Sequence, residues 1–331
     1  MKRAVLNMMR LTGAFAMLRL LNRNRALILT YHRFSRKNDG VSTSAAAFSE
    51  QLAYLNAHYR VVPLPQLVEL VRGGGTFPER LAAITIDDGY RDAYEIAFPL
   101  LRRYGMPATL YVVTQFVEGR LWLWTDKIRF LLSQTGSPEL RVKIKGRERL
   151  LAIKGEGSRR AAAETINGDL KQLSDEEKDQ TINEIAASLR IRIPETPPAQ
   201  FDAINWDQAR EMADAGIEIG SHTVTHPILT NISDEHLQLE LSQSRAQIEA
   251  QLKRRIDHFC YPNGDFDSRV REAAARAGYG SAVTCLRGMN LSGADPLTLR
   301  RVHTESDLTH FEQSTSGFED LKLKVRTIFE Q

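Results

Sequence analysis

Short runs of apolar and β-branched residues alternate along this chain with longer segments whose apolar positions recur every three or four residues. The short runs predict strands at Ala26–Tyr31, Ala82–Ile86, Ala108–Val113, Ile217–Ile219, His258–Tyr261, Ser281–Thr284 and Leu297–Val302. Helices are predicted between them at Ala45–Ala57, Leu64–Val71, Arg91–Tyr104, Asp207–Ala215 and Asp267–Ala277, the last stopped by Gly278. Ser233 caps a longer helix, with Asp234 and Glu235 favourable in its first turn and Leu237, Leu241, Ile248 and Leu252 along one face. Strands alternating with helices in this way predict an α/β fold with a mainly parallel sheet.

The rhythm breaks between about residues 118 and 201. Leu140, Val142 and Ile144 alternate with Arg141, Lys143 and Lys145, the pattern of a half-exposed strand, and Leu150–Ile153 beyond a Gly146 turn is placed to pair with it as a hairpin. Ser174 and Glu177 have capping-box spacing, Ile182, Ile185 and Leu189 form an apolar stripe, and Pro194, Pro197 and Pro198 end it. The stretch reads as an insertion into a main domain of residues 26–331. Trp122 and Trp124 open it, either as a hydrophobic anchor or as platforms for pyranose rings.

Residues 1–25 predict a basic amphipathic helix, since Lys2, Arg3, Arg10, Arg19, Arg23 and Arg25 all precede the first acidic residue, Asp39. The apolar run Leu11–Leu18 is too short to span a bilayer, and no small-x-small cleavage site stands clearly after it. A retained helix is expected. It either makes peripheral contact with an anionic membrane surface or packs on the domain with a solvated basic face. With no transmembrane helix or signal peptide read, a cytoplasmic, membrane-associated location is the expectation.

Composition narrows the partners. Hydrophobic and charged fractions of 42% and 26% are those of an ordinary globular chain. A net charge of +3 over 331 residues is too small to indicate nucleic acid, and no lysine or arginine tract interleaves with aromatics. Cys260 and Cys285 form no CxxC pair, which argues against both a disulfide framework and a thiolate zinc site and predicts two small core residues.

Two motifs carry chemistry. In Ile84-Thr85-Ile86-Asp87-Asp88-Gly89-Tyr90 a buried-looking strand runs into two adjacent carboxylates and a glycine. Asp-Gly is also a common turn pair, but side-by-side carboxylates at the end of an apolar strand need a cation or donors to compensate them. In Gly220-Ser221-His222-Thr223-Val224-Thr225-His226-Pro227 another strand ends in a loop with two histidines four apart, which share a face if the segment makes one helical turn. One aspartate and two histidines, each following a strand, would make the open three-ligand site that a catalytic Zn²⁺ uses.

Together these motifs resemble the NodB-like polysaccharide deacetylases, carbohydrate esterase family four. Thr85-Ile86-Asp87-Asp88-Gly89 is similar to the family's first motif, Ser221–His226 to its second, and Phe259-Cys260-Tyr261-Pro262-Asn263-Gly264 to its third, without the leading arginine. The similarity covers roughly 26–117 and 205–302. It implies a distorted (β/α)7-type barrel. It also implies Asp87 as general base and Asp88, His222 and His226 as ligands of one divalent ion, Zn²⁺ first and Co²⁺, Ni²⁺ or Mn²⁺ as alternatives. The backbone N–H of Tyr261 would help form an oxyanion hole, and Arg301 would orient the base. No Leu-x-His motif follows at the C-terminal end, so the acid histidine is sought elsewhere. Thr30-Tyr31-His32 resembles the rearranged order of deacetylases of secreted poly-N-acetylglucosamine, with His303 as the rival.

His32, Asp87-Asp88, His222, Tyr261 and Arg301 all fall at or just after the C-terminal ends of predicted strands, where parallel barrels assemble their sites. The expected reaction is hydrolysis of the N-acetyl group of an amino sugar in a polysaccharide, oligosaccharide or lipid-linked saccharide, in exopolysaccharide or cell-envelope glycan assembly. A deformylase, an O-acetyl esterase or an idle glycan-binding protein on the same fold are the other readings.

Overall fold

The computed structural model describes residues 2–305, 307–319 and 321; Met1 and 322–331, at the ends of the segments 1–25 and 26–331, lie outside the described residues. Seven parallel strands form the barrel: β1 (Leu27–Tyr31), β2 (Leu81–Ile86), β3 (Thr109–Val112), β4 (Glu218–Ser221), β5 (His258–Cys260), β6 (Ser281–Arg287) and β7 (Leu299–His303). Their order around the barrel is β1-β7-β6-β5-β4-β3-β2, and β2 closes it by pairing back onto β1 from Leu27↔Ala82 to Tyr31↔Ile86. All of β1, β2 and β3 is buried, as expected of strands covered by helices outside and by side chains inside.

The closure is uneven. On one flank of β2 a short strand, Arg60–Val61, pairs with Leu81 and Ala82, while β3 pairs with Thr85 and Ile86. β4 and β5 meet at the single register pair Ser221↔Phe259. β6 runs three residues beyond the predicted Thr284, because the register shift between Val283 and Arg287 lets it follow β7 as far as Arg301.

The insertion has its own core. Helix Trp124–Gln134, hairpin strands Glu139–Ile144 and Arg147–Ala152, and helices Glu156–Leu170 and Asp175–Leu189 bury Trp124, Ile128, Leu140, Val142, Ile166 and Ile182 together. Lys145 and Gly146, at φ 48° and 75°, make the tight hairpin turn, and both bonds of the Ser174–Glu177 capping box form. Both tryptophans are buried, Trp122 against Phe130 and Phe201 and Trp124 beneath Lys178, which agrees with the anchor reading rather than with sugar platforms.

At the N-terminus the one predicted helix is two, Lys2–Leu11 and Ala14–Leu21, because Gly13 adopts φ 76° between them. Arg91–Tyr104 is likewise divided into a π-helical turn, Ala93–Ala97, and an α-helix, Phe98–Tyr104, with Pro99 near the junction. A wider turn there leaves room for a residue that has no N–H to donate.

Candidate active site

The two adjacent carboxylates leave β2 in different directions. Asp87 follows the strand and donates its N–H to the Tyr31 carbonyl at 2.9 Å, whereas Asp88 and Gly89 turn to φ 75° and 87°. Asp88 tolerates that conformation as an aspartate, and a Cβ on Gly89 would stand 3.3 Å from Val112 Cγ1. The turn therefore separates the two side chains although their residues are consecutive.

Asp87 is almost fully buried and faces Arg301, whose Nη1 donates to its Oδ1 at 2.7 Å. Arg301 has no exposed surface, and its other donors reach the Thr284 carbonyl at 2.9 Å, Thr85 Oγ1 at 3.1 Å and Cys260 Sγ at 3.3 Å. Burial alone would raise the Asp87 pKa, but the guanidinium, and then His32, hold it below the ordinary carboxylate range. Its Oδ2 lies 3.5 Å from Nε2 of His32, a half-exposed side chain.

Asp88 Oδ1 lies 3.5 Å from His222 Nε2 and 3.6 Å from His226 Nε2. Two ligands about 2.0–2.1 Å from a tetrahedral ion stand about 3.3–3.4 Å apart, so this triad fits a divalent metal. His222 Nδ1 is 2.7 Å from the Cys260 carbonyl, which fixes the proton on Nδ1 and leaves the Nε2 lone pair toward Asp88. Burial pushes the His226 pKa down, so this ring is neutral as a ligand must be. Asp87, His222 and Cys260 also cluster, but burial pushes the Cys260 thiol up to about 11 and its Sγ already faces Arg301. The donor set with Asp88 and both histidines is the better site.

The histidines do not share a helical turn. Thr223 and His226 take φ 72° and 59°, and the loop between them is held by Glu240, a buried carboxylate on helix Asp234–Leu252. Glu240 Oε2 accepts from the N–H groups of Val224 and Thr225 at 2.7 and 3.0 Å, and Oε1 from the Thr225 hydroxyl at 2.6 Å. His226 N–H donates to Thr223 Oγ1 at 3.0 Å, and the rings finish 4.7 Å apart. Sequence reading missed Glu240; the signal was a carboxylate nearly two turns inside a predicted helix, next to its buried Leu241.

Tyr261, expected to help form an oxyanion hole, has both of its donors engaged elsewhere in this structure. Tyr261 N–H donates to the Val283 carbonyl at 3.2 Å as part of the β5–β6 ladder, and its hydroxyl donates to the Leu297 carbonyl at 3.0 Å. Two residues on, Asn263 lines the same cavity, and its Nδ2 is buried without a partner. Its backbone is left-handed at φ 55° in the turn Pro262–Gly264.

His32 and His303 both line this cavity of about 500 Å³, together with Asp87, Asp88, His222 and Arg301. Only His32 approaches Asp87. Burial, then Arg301 and His32, push the His303 pKa down to about 4. The insertion supplies one wall, through Thr125, Arg129, Glu164, Asn167 and Lys171. Of the two cysteines, Cys260 is core as predicted, whereas Cys285 lies on the cavity wall.

The family model for polysaccharide deacetylases matches residues 74–282. The chain belongs to that family. It is a hydrolase of amide bonds, from a family whose members are generally metal-dependent. The chain is 21% identical over 283 residues to YxkH of Bacillus subtilis, named for the same family, covering 85% of this chain and 72% of that one. It is 31% identical over 111 residues to the poly-β-1,6-N-acetyl-D-glucosamine N-deacetylase of Staphylococcus epidermidis, a match covering 29% of this chain and only 38% of that protein's length. The deacetylase PplD of Streptococcus pyogenes, solved with acetate, shares the fold at TM-score 0.59 and 17% identity, over 90% of this chain and 98% of that one. Closed parallel barrel and deacetylase family thus agree.

Glu240→Gln should keep the fold and two of the three loop bonds in weakened form. The histidine loop loosens, so affinity for Zn²⁺ should fall about 10–100-fold. Competition with a chromophoric chelator measures it, and unchanged affinity would show that the loop holds without the clamp.

Proposed function

We propose that this deacetylase removes the N-acetyl group from an amino sugar within a polysaccharide or glycan precursor, with Asp87 as general base and a divalent ion held by Asp88, His222 and His226. The observation that carries the reading is the division of the two carboxylates: Arg301 keeps Asp87 charged and fixed, and the histidines surround Asp88. Zn²⁺ is the ion assigned, with Co²⁺, Ni²⁺ or Mn²⁺ compatible with the same donors. Such an ion would supply Lewis acidity, making a nearby water more acidic and drawing charge from the acyl carbonyl.

The chain's own residues supply the rest. Asp87 Oδ1 is held by Arg301, so Oδ2 is the oxygen that takes the water proton. An amide nitrogen leaves only after protonation, and His32 stands 3.5 Å from that same Oδ2, open to the cavity. His303, neutral well above pH 4, carries no proton to give at neutral pH. Asn263 takes the oxyanion role that Tyr261 cannot fill, since a buried donor without a partner beside the reacting centre is preorganised for developing charge.

An extended glycan is favoured over a small substrate because the cavity continues into a groove of about 840 Å³ between residues 38–42 and helix Glu156–Leu170. Exopolysaccharide or envelope-glycan assembly is the setting this implies, and a lipid-linked saccharide is compatible with it. Deformylation and O-acetyl hydrolysis would use the same residues, but the relative with 31% identity is named an N-deacetylase. An idle binder would have no use for a buried, charged Asp87.

The central test measures metal content and acetate release from N-acetylglucosamine oligomers side by side. Asp87→Asn should retain the ion and lose about 10²–10⁴-fold in rate, whereas Asp88→Asn should also lose the ion. Equal metal loss in both would mean that the roles are divided wrongly, and full turnover after verified metal removal would end the metal reading.

Asn263→Ala should lower kcat on the order of 10²-fold with little change in KM or metal content. A rise in KM alone would place Asn263 in substrate binding instead.

His32→Ala should lose amide hydrolysis far more than hydrolysis of an activated aryl acetate, whose phenolate departs unprotonated. His303→Ala should affect both substrates little. An amide-selective defect confined to the His303 variant would reverse the assignment.

A further inference from the structure

Among the described residues twelve large apolar side chains are strongly exposed, and six of them sit in the first 21 positions: Val5, Met8, Leu11, Met17, Leu20 and Leu21. Single exposed leucines are ordinary, but six on two consecutive helices form a patch that needs a partner. Leu11 and Leu21 are 87% and 71% exposed.

The patch is not an artefact of loose helices. Their other faces are fixed to the domain: Leu6, Phe15 and Leu18 pack with Phe318, Arg10 Nε meets Glu312 at 3.0 Å, and Arg19 Nη1 donates to the Tyr54 hydroxyl at 2.7 Å. The helices are therefore held with one apolar face inward and another outward. Among the described residues no single helix is long and apolar enough to cross a bilayer; Ala4–Leu11 and Ala14–Leu21 have the length and composition of a span only when taken together, and they are bent by 69° at Gly13.

Charge selects the occupant. No aspartate or glutamate precedes Asp39, while Lys2 and Arg3 open the first helix and Arg23 and Arg25 follow the second. Arg10 and Arg19 also make contacts within the protein, and with no acidic residue among the first 38 positions the segment as a whole is positive. A second copy of the chain would bring like charges together across a twofold axis, whereas an anionic lipid surface complements both the leucines and the cations.

We propose that these two helices dock the enzyme on the surface of an anionic bilayer, their outward apolar residues in the headgroup–acyl boundary. The proposal concerns residues none of which lines the cavity of Asp87 and Asp88, so it stands or falls separately from the deacetylase mechanism.

Sedimentation of the full chain with phosphatidylcholine vesicles, with and without phosphatidylglycerol, tests it. The chain should pellet with the anionic vesicles and far less with the neutral ones. Leu11→Glu with Leu20→Glu should reduce that binding at least tenfold, as roughly expected for replacing two inserted apolar side chains by charges, and leave acetate release from a soluble oligomer unchanged. Arg23→Glu should cost roughly fivefold or more on anionic vesicles only. Absence of pelleting with either vesicle, equal binding by the double variant, or a lipid-free dimer that the double variant converts to monomer would overturn the proposal.

Discussion

The structure turns on the buried ion pair between Asp87 and Arg301. A carboxylate without solvent is costly unless it is paired and hydrogen-bonded, and Arg301 meets that demand while also donating to a β6 carbonyl and to side chains on β2 and β5. One guanidinium from β7 thus ties four strands together beneath the cavity. Because its fork is rigid and always charged, it fixes both the ionisation and the orientation of Asp87. Buried ion pairs are weak evidence for stability, so holding one carboxylate charged and fixed at the cavity is the better account of this one, in keeping with the base role proposed for Asp87.

The second constraint is backbone strain. Asp88, Thr223, His226 and Asn263 all have positive φ without being glycine, and all four line or adjoin the same cavity. Such residues each cost about 1–3 kcal/mol and persist only where the surroundings over-determine them. Glu240 provides that surrounding for the histidine loop by bonding two N–H groups and one hydroxyl. The backbone of Thr114 and Gln115 adds two further bonds, to the carbonyls of Thr223 and Val224 at 3.1 Å each. The two imidazoles converge because the loop is clamped from both sides.

Much of this was readable from the chain. Every barrel strand was expected within about three residues at either end, because apolar runs bounded by loops mark buried strands well. The cluster of Asp88, His222 and His226 beside Asp87 was legible as two motifs, since Asp87, Asp88 and His222 come directly after strand ends and His226 lies in the loop that follows. What could not be read depends on separations of many residues or on backbone sign. Glu240 acts on residues 15 and 16 positions earlier. The engagement of Tyr261 N–H with Val283 is a ladder bond that no local pattern announces, and the partnerless Nδ2 of Asn263, two residues along, is equally invisible in the sequence. The break at Gly13 was missed because a lone glycine in an apolar run is also compatible with an unbroken helix.

The insertion is bound to the site more closely than its separate core suggests. Tyr90, directly after the Asp87-Asp88-Gly89 turn, donates its hydroxyl to Asp126 Oδ2 at 2.6 Å, and Asp126 is wholly buried on the insertion's first helix. Asp126 also pairs with Arg129, which lines the cavity, while the guanidinium of Arg33, next to His32, lies 4.0 Å over the Tyr90 ring. Burial raises the Asp126 pKa, against the opposing pull of Arg129 and Arg33, so this carboxyl depends on the same contacts that hold the insertion in place. A shift of the first insertion helix would therefore reach the Asp88 turn through Tyr90 and the His32 segment through Arg33. The insertion wall of the cavity and the segments that carry Asp88 and His32 are consequently joined through one hydrogen bond, one ion pair and one cation–π contact, so they hold their positions together.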